Sequence, residues 1–270
     1  MKARTLIGLT SGFAILLAAV APLAPAQAPD DIASAEELLT SLETADQDLN
    51  TLQAGISYTR RMLLQGDEQT RRGRLYFERD IASGDRIFAI HFDDLYVNQR
   101  RDTDEQQWIF DGEWLIERRP NEKQYIARQI APPGENIDPL RLGEGPLPIP
   151  IGQRAADVLA RYKAELVNPF TGLENESGAV KEFVADTWQL KLTPHESMRD
   201  DDEFREIRLW YDQETLLPRL AKTLNRTGDE SFVQLVNLRR NAEIREDPFN
   251  IEPPEDDAGW DVQIKEFRGE

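Results

Sequence analysis

The spacing of apolar positions changes along this chain, and each change marks a new element. Leu38, Leu42, Ala45, Leu49 and Leu52 recur at threes and fours, which predicts one apolar stripe on a helix over 35–52. Ser34 stands where an N-cap belongs, and Glu36 and Glu37 lie at the positive end of the helix dipole. From residue 54 the period becomes two, predicting strands over 54–64, 72–79, 86–92, 95–100, 107–111, 113–118 and 123–129. Asp111-Gly112, between Trp108/Phe110 and Trp114/Ile116, is a tight-hairpin signal. Residues 131–150 are rich in Pro and Gly and read as loop. Helical spacing returns through Ile151, Ala155, Leu159, Tyr162 and Leu166, predicting a helix over 151–167. After a turn-rich stretch at 168–178, strands are expected over 180–193, 204–211, 216–225 and 231–242, with a last one within 260–267.

Short strands joined by polar turns imply antiparallel meanders, and a sheet with one apolar face needs a cover. The expected fold is mainly β with an α lid. It is a single, strongly curved antiparallel sheet (an unclosed β-barrel) with helices over its concave face. Residues 29–270 read as one domain, and 131–178 form a loop-helix insertion that contributes to the lid. Such a covered sheet is expected to leave an apolar cavity.

Residues 1–28 change the picture of where this domain works. Lys2 and Arg4 precede an apolar run from Leu6 to Val20, and Ala26-Gln27-Ala28 offers a cleavage site. This is the layout of a secretory signal peptide, and the run is shorter than the ~20 residues of a membrane span. The expected location is therefore the periplasm. The 270 residues include no cysteine, so disulfides, thiolate metal sites, cysteine nucleophiles and an N-terminal lipid anchor on cysteine are excluded. Fifty acidic residues against 32 basic ones give a net charge of −18, which argues against nucleic acid as a partner.

The chemistry-bearing residues are sparse. His91 lies within a strand and His195 follows Pro194, and neither has a partner at a metal-ligand spacing. Asp200-Asp201-Asp202 lacks the alternating ligands and central glycine of a calcium loop. There is no nucleophile elbow, phosphate-binding glycine loop or dinucleotide fingerprint. The expectation is a non-enzyme without cofactor or metal. Aromatic residues on the strands and one arginine carry more information. In Leu75-Tyr76-Phe77-Glu78-Arg79, the arginine alternates onto the face of Leu75 and Phe77. There it either snorkels to water or meets an anionic or carbonyl group at the rim of an apolar surface.

Four strand motifs resemble the periplasmic outer-membrane lipoprotein carrier family, with its LolA/LolB-like fold. Gly73-Arg74-Leu75-Tyr76-Phe77-Glu78-Arg79 resembles the family strand ending in Lys-Arg-Pro, with Glu78 and Asp80 departing from that pattern. Ile109 to Ile116 resembles the family hairpin, and Leu209-Trp210-Tyr211-Asp212 with Leu217-Pro218 forms the third motif. Val233 to Leu238, leading to Phe249-Asn250-Ile251-Glu252-Pro253-Pro254, is similar to the terminal F-x-F-x-P-P. The resemblance implies a carrier or binder of lipoprotein acyl chains or other lipid. Its partners would be an inner-membrane release complex and an outer-membrane acceptor. It implies that Arg79 ties the lid to the sheet, and it draws Leu75, Phe77, Phe88, Trp108, Phe110, Trp114, Leu159 and Tyr162 into the lipid-binding and lid-control set. The alternative is a non-catalytic envelope signalling or assembly module that uses the same scaffold to bind a protein.

Overall fold

The computed structural model describes residues 32–80, 84–130, 132, 142, 151–199, 202–255 and 259–267. The expected signal peptide, most of the 131–150 loop, and Asp200 and Asp201 lie outside these residues. Helix α1 (Ala35–Gln47) begins at a complete capping box. The Ser34 hydroxyl accepts from the Glu37 N–H, and the Glu37 carboxylate reaches back to the Ser34 N–H. Strands β1 (Thr51–Met62), β2 (Asp67–Arg79), β3 (Arg86–Val97), β4 (Arg100–Asp102), β5 (Gln106–Phe110), β6 (Trp114–Arg119) and β7 (Gln124–Gln129) follow. Helix α2 (Ala155–Arg161) leads directly into β8 (Tyr162–Val167), and helix α3 (Gly178–Phe183) precedes β9 (Thr187–Pro194). The chain ends with β10 (Phe204–Asp212), β11 (Pro218–Asn225), β12 (Glu230–Arg240) and β13 (Asp261–Lys265).

The strands make one sheet in the order β13-β7-β6-β5-β3-β2-β1-β12-β11-β10-β9-β8, with β4 paired to β3. The expectation of a strongly curved, all-antiparallel sheet is corrected here. The sheet is an open run from β13 to β8 that is neither closed nor strongly curled, and β13 joins β7 in parallel. Packing supplies the physical reason: the sheet carries apolar clusters on both faces, so it does not curl around one of them.

Alternation along the strands sorts the side chains into these two faces. On the front, Leu52, Ala54 and Ile56 of β1, Leu75 and Phe77 of β2, and Phe88, Ile90 and Phe92 of β3 join Leu190, Leu192, Leu209, Val233 and Leu235 in one core. Leu38, Leu39 and Leu42 of α1 and Val158 of α2 press on this surface. Each buried leucine there contributes about 2 kcal/mol. The back carries two separate patches. Tyr76, Ala89, Ile109, Ile116, Tyr125 and Ala127 are covered by Ile244, Phe249, Ile251 and Trp260 from the C-terminal stretch. Leu173, Val184, Trp210, Leu220 and Phe232 are covered by Val180 of α3 and its last residue, Phe183. Two of the sheet's register shifts fall between β2 and β3 and between β1 and β12. One lies at Gly73, where an added Cβ would sit 1.8 Å from the His91 carbonyl oxygen. The other lies on β12 at Asn237, with φ +53°.

The helix expected over 151–167 is less than half as long as predicted. It covers 155–161, and Tyr162 opens an edge strand instead. Likewise the strand expected from 180 begins only at Thr187, because Ser177 accepts from the Val180 N–H and starts α3.

Candidate functional site

The front core beneath α1 and α2 gathers most of the residues singled out in the sequence. Phe88 and Phe110 are opposite each other on β3 and β5 and stack with centroids 5.8 Å apart. Phe77 and Leu75 lie beside them on β2, at 0% and 1% exposure. Trp108 is half-buried against Phe92 and Tyr58, at 5.5 and 6.3 Å between centroids. Leu159 packs against this core from α2, and Tyr162 is buried in it at the start of β8. Trp114 is not brought to this surface: it packs on the back face with the patch around Tyr76 and Ile116.

Arg79 is the last residue of β2, and its guanidinium donates to the carbonyl of Gln47, the last residue of α1, at 3.1 Å. Nearby, Arg240 donates to the Ala45 carbonyl at 2.8 Å, and the Asn241 amide donates to the Asp48 carbonyl at 2.8 Å. Cationic and amide donors at a helix C-terminus satisfy its orphan carbonyls and oppose its negative end. Helix α1 itself has no basic residue in its last turn, so the sheet supplies that charge.

Asp46 completes the fastening. Its carboxylate accepts from the Gly152 N–H at 2.5 Å, while Arg86 donates to the Gly152 carbonyl at 2.8 Å. Gly152 has φ +68°, and an added Cβ would meet the Arg86 guanidinium at 2.3 Å. The positive φ favours glycine there, and a side chain would push the Arg86 guanidinium aside. Farther back on α1, Glu43 accepts from the Ala155 N–H at 3.0 Å, at the first turn of α2. The two helices are thus tied to each other as well as to the sheet. Burial pushes the Asp46 carboxyl up from 3.8 to about 6, outweighing the Gly152 N–H and the charges of Arg86, Arg79 and Arg240. Burial also holds the neighbouring Tyr211 hydroxyl well above its ordinary range, and the Asp46 charge adds to this.

Asp46, Arg86, Arg240 and Gly152 were not singled out in the sequence. A signal for Asp46 was present, since it stands four residues after Leu42 on the stripe that buries Leu38, Leu39 and Leu42. The space enclosed by Leu39, Leu42, Asp46, Leu142, Gln153, Val158, Leu190, Leu209 and Tyr211 measures about 10 Å³, room for about one water. Among the described residues the front is packed around this space, and a groove of about 860 Å³ lies on the back between the two apolar patches, lined by Gln53, Gly55, Arg74, Tyr76, Arg239 and Glu246 among others.

His91 Nε2 lies 3.1 Å from the Pro248 carbonyl, and burial holds its pKa below the ordinary value. His195 Nε2 lies 3.0 Å from the Leu159 carbonyl. Among the described residues no group of three or more His, Cys, Asp or Glu is placed to hold a metal ion, and no helix is long and apolar enough to cross a membrane.

No protein-family model matches the chain, and no curated protein sequence matches it. Solved structures give weak similarities. An uncharacterized conserved protein from Thermus thermophilus aligns at TM-score 0.45 and 12% identity, over 86% of this chain and 99% of that one. The MucA/MucB complex of Pseudomonas aeruginosa aligns at 0.44 and 18%, over 80% of this chain and 60% of that one. A LolA superfamily protein from Nitrosomonas europaea aligns at 0.33 and 13%, over 81% and 98%. With identities of 18% or less, the functional reading rests on the geometry of the two faces.

Proposed function

We propose that the protein is a non-catalytic carrier of the cell envelope that takes an acyl chain onto the front of the sheet when α1 and α2 lift together. The expected export signal supports that compartment. The observation that carries the reading is the make-up of the seam. An apolar surface is closed by a helix whose end is held through backbone carbonyls and one buried carboxylate. Water replaces those polar contacts when the helix lifts, and an acyl chain replaces the apolar ones at about 0.8 kcal/mol per buried methylene. Opening is therefore nearly compensated on both sides of the seam, which suits a carrier that must also release. Arg79, bonded to the end of α1, controls the lid, and the lipoproteins or lipids that supply the chain are its cargo.

Titration with a fluorescent fatty-acyl probe tests this reading. Wild type should take up the probe in competition with unlabelled fatty acid, and Arg79→Leu should stay folded but change the release rate. Absence of uptake by both proteins would contradict it. The packed front and the large back groove favour a second reading, an adaptor that binds a protein partner on the back face. In that case the acyl probe is ignored, and substitutions in the groove, such as Arg74→Glu, abolish partner binding.

A further inference from the structure

The two edges of the sheet are finished differently. At one end, β8 carries Lys163 and Glu165, paired at 2.6 Å, and Glu165 also meets Lys191 of β9 at 3.2 Å. Charges of this kind blunt an edge. At the other end β13 lies outermost, so among the described residues no strand borders its free side. Its five residues read Asp-Val-Gln-Ile-Lys. Val262 and Ile264 are 37% and 61% exposed. Their register opposite Tyr125 and Ala127 sets them on the back face, so they continue the apolar patch of Tyr125, Ala127 and Trp260 out to the rim. An exposed strand with an apolar face and free backbone groups is a template for pairing.

The order of residues says what pairs with it. If a second β13 lies antiparallel across a two-fold axis at Gln263, Asp261 of each copy stands opposite Lys265 of the other. Val262 then stands opposite Ile264, on the same face, twice. Opposite charges and apolar pairs directly across an antiparallel ladder are the favourable combinations. A two-fold contact needs a patch complementary to itself, and this strand is. Asp261 at present accepts only from its neighbour Gln263, at 3.0 Å, among the described hydrogen bonds, and Lys265 makes no salt bridge among the described residues. From this self-complementarity we infer that β13 is a dimerisation edge whose partner is a second copy of this chain. Two sheets join there, and the two back-face apolar patches become continuous. The inference is independent of what the front face carries.

Sedimentation of the whole protein over a range of concentrations tests it. Wild type should move from monomer to dimer as concentration rises. Asp261→Lys alone sets lysine against lysine, and Lys265→Asp alone sets aspartate against aspartate. Each should weaken the dimer at least several-fold. The double swap, Asp261→Lys with Lys265→Asp, restores opposite charges and should recover association. The chain has no cysteine, so Gln263→Cys adds a single thiol at the two-fold axis. Directly opposed residues in an antiparallel pair lie within disulfide reach. Mild oxidation should link the copies there, whereas Thr227→Cys, on a distant turn, should link them far less. A wild type that stays monomeric at every concentration would overturn the inference. So would single charge reversals that leave association unchanged, or a double swap that fails to rescue it.

Discussion

The front and back of this sheet are buried by different means. On the front, one core runs from β5 to β8 beneath two helices, and polar contacts gather at a seam around Asp46. On the back, two apolar patches are separated by a groove in which Gln53 donates to the Ala242 and Glu243 carbonyls and Arg74 meets Glu246 at 3.3 Å. A continuous apolar layer under a removable cover is a surface that can exchange one apolar partner for another. A divided, hydrogen-bonded layer is a fixed support. Under the proposed function, movement belongs to the front and support to the back.

The largest expected effect comes from puncturing the front. Phe77→Ala empties a fully buried ring site and should cost about 3–5 kcal/mol in denaturant unfolding. Asp46→Asn comes next and acts through pH. The Asp46 carboxyl titrates at about 6 in the folded protein against 3.8 as its ordinary value. The folded state therefore holds this proton more tightly. Its contribution is fully present below pH 3.8, is lost as pH rises, and is gone above about 6. The whole change is on the order of 3 kcal/mol. Asn keeps the acceptor for Gly152, so the variant should flatten stability across that window and unfold at a higher temperature than wild type at pH 7. A variant whose pH profile parallels wild type would contradict the seam as described.

The division of the back face is sharpened by a pair of substitutions. Ile116→Ala and Trp210→Phe lie in different patches, and the second removes the hydrogen bond from the indole N–H to the Pro169 carbonyl at 2.7 Å. Their effects should add within about 0.5 kcal/mol. Phe77→Ala and Phe88→Ala, on residues facing each other across β2 and β3, should depart from additivity by more than that. Smallest of all, Arg74→Ala breaks an exposed pair with Glu246 and should shift stability by no more than about 0.5 kcal/mol.

Much of this architecture was legible where the local signals agreed. The capping residues of α1 fixed its start, and Asp111-Gly112 lies between β5 and β6 as its flanking aromatics implied. The misreading at 151–167 came from a segment that satisfies two periods at once. Ala155 and Leu159 fit a helix, while Tyr162, Ala164 and Leu166 alternate by two and pack on the front core from β8. Only the neighbour β9, paired at Tyr162 to Pro194, decides for strand. The packing of both faces was hidden for a related reason. Tyr76, Ile116 and Trp210 look like polar-side exceptions until distant segments arrive to cover them. At the seam, strand alternation placed Arg79 on the face of Leu75 and Phe77 and left open whether it met water or a carbonyl; the structure shows the Gln47 carbonyl. Arg86, Arg240 and Gly152 acquire their role only by meeting α1 from distant parts of the chain.

Native mass spectrometry of the protein recovered from the cell envelope, followed by solvent extraction, tests the movable front most directly. The predicted result is a mass increment that extraction removes and that proves to be an acylated lipid. Protein of bare mass only, together with refusal of a fatty-acyl probe even after Arg79→Leu, would contradict the account and leave the front face a permanently packed core.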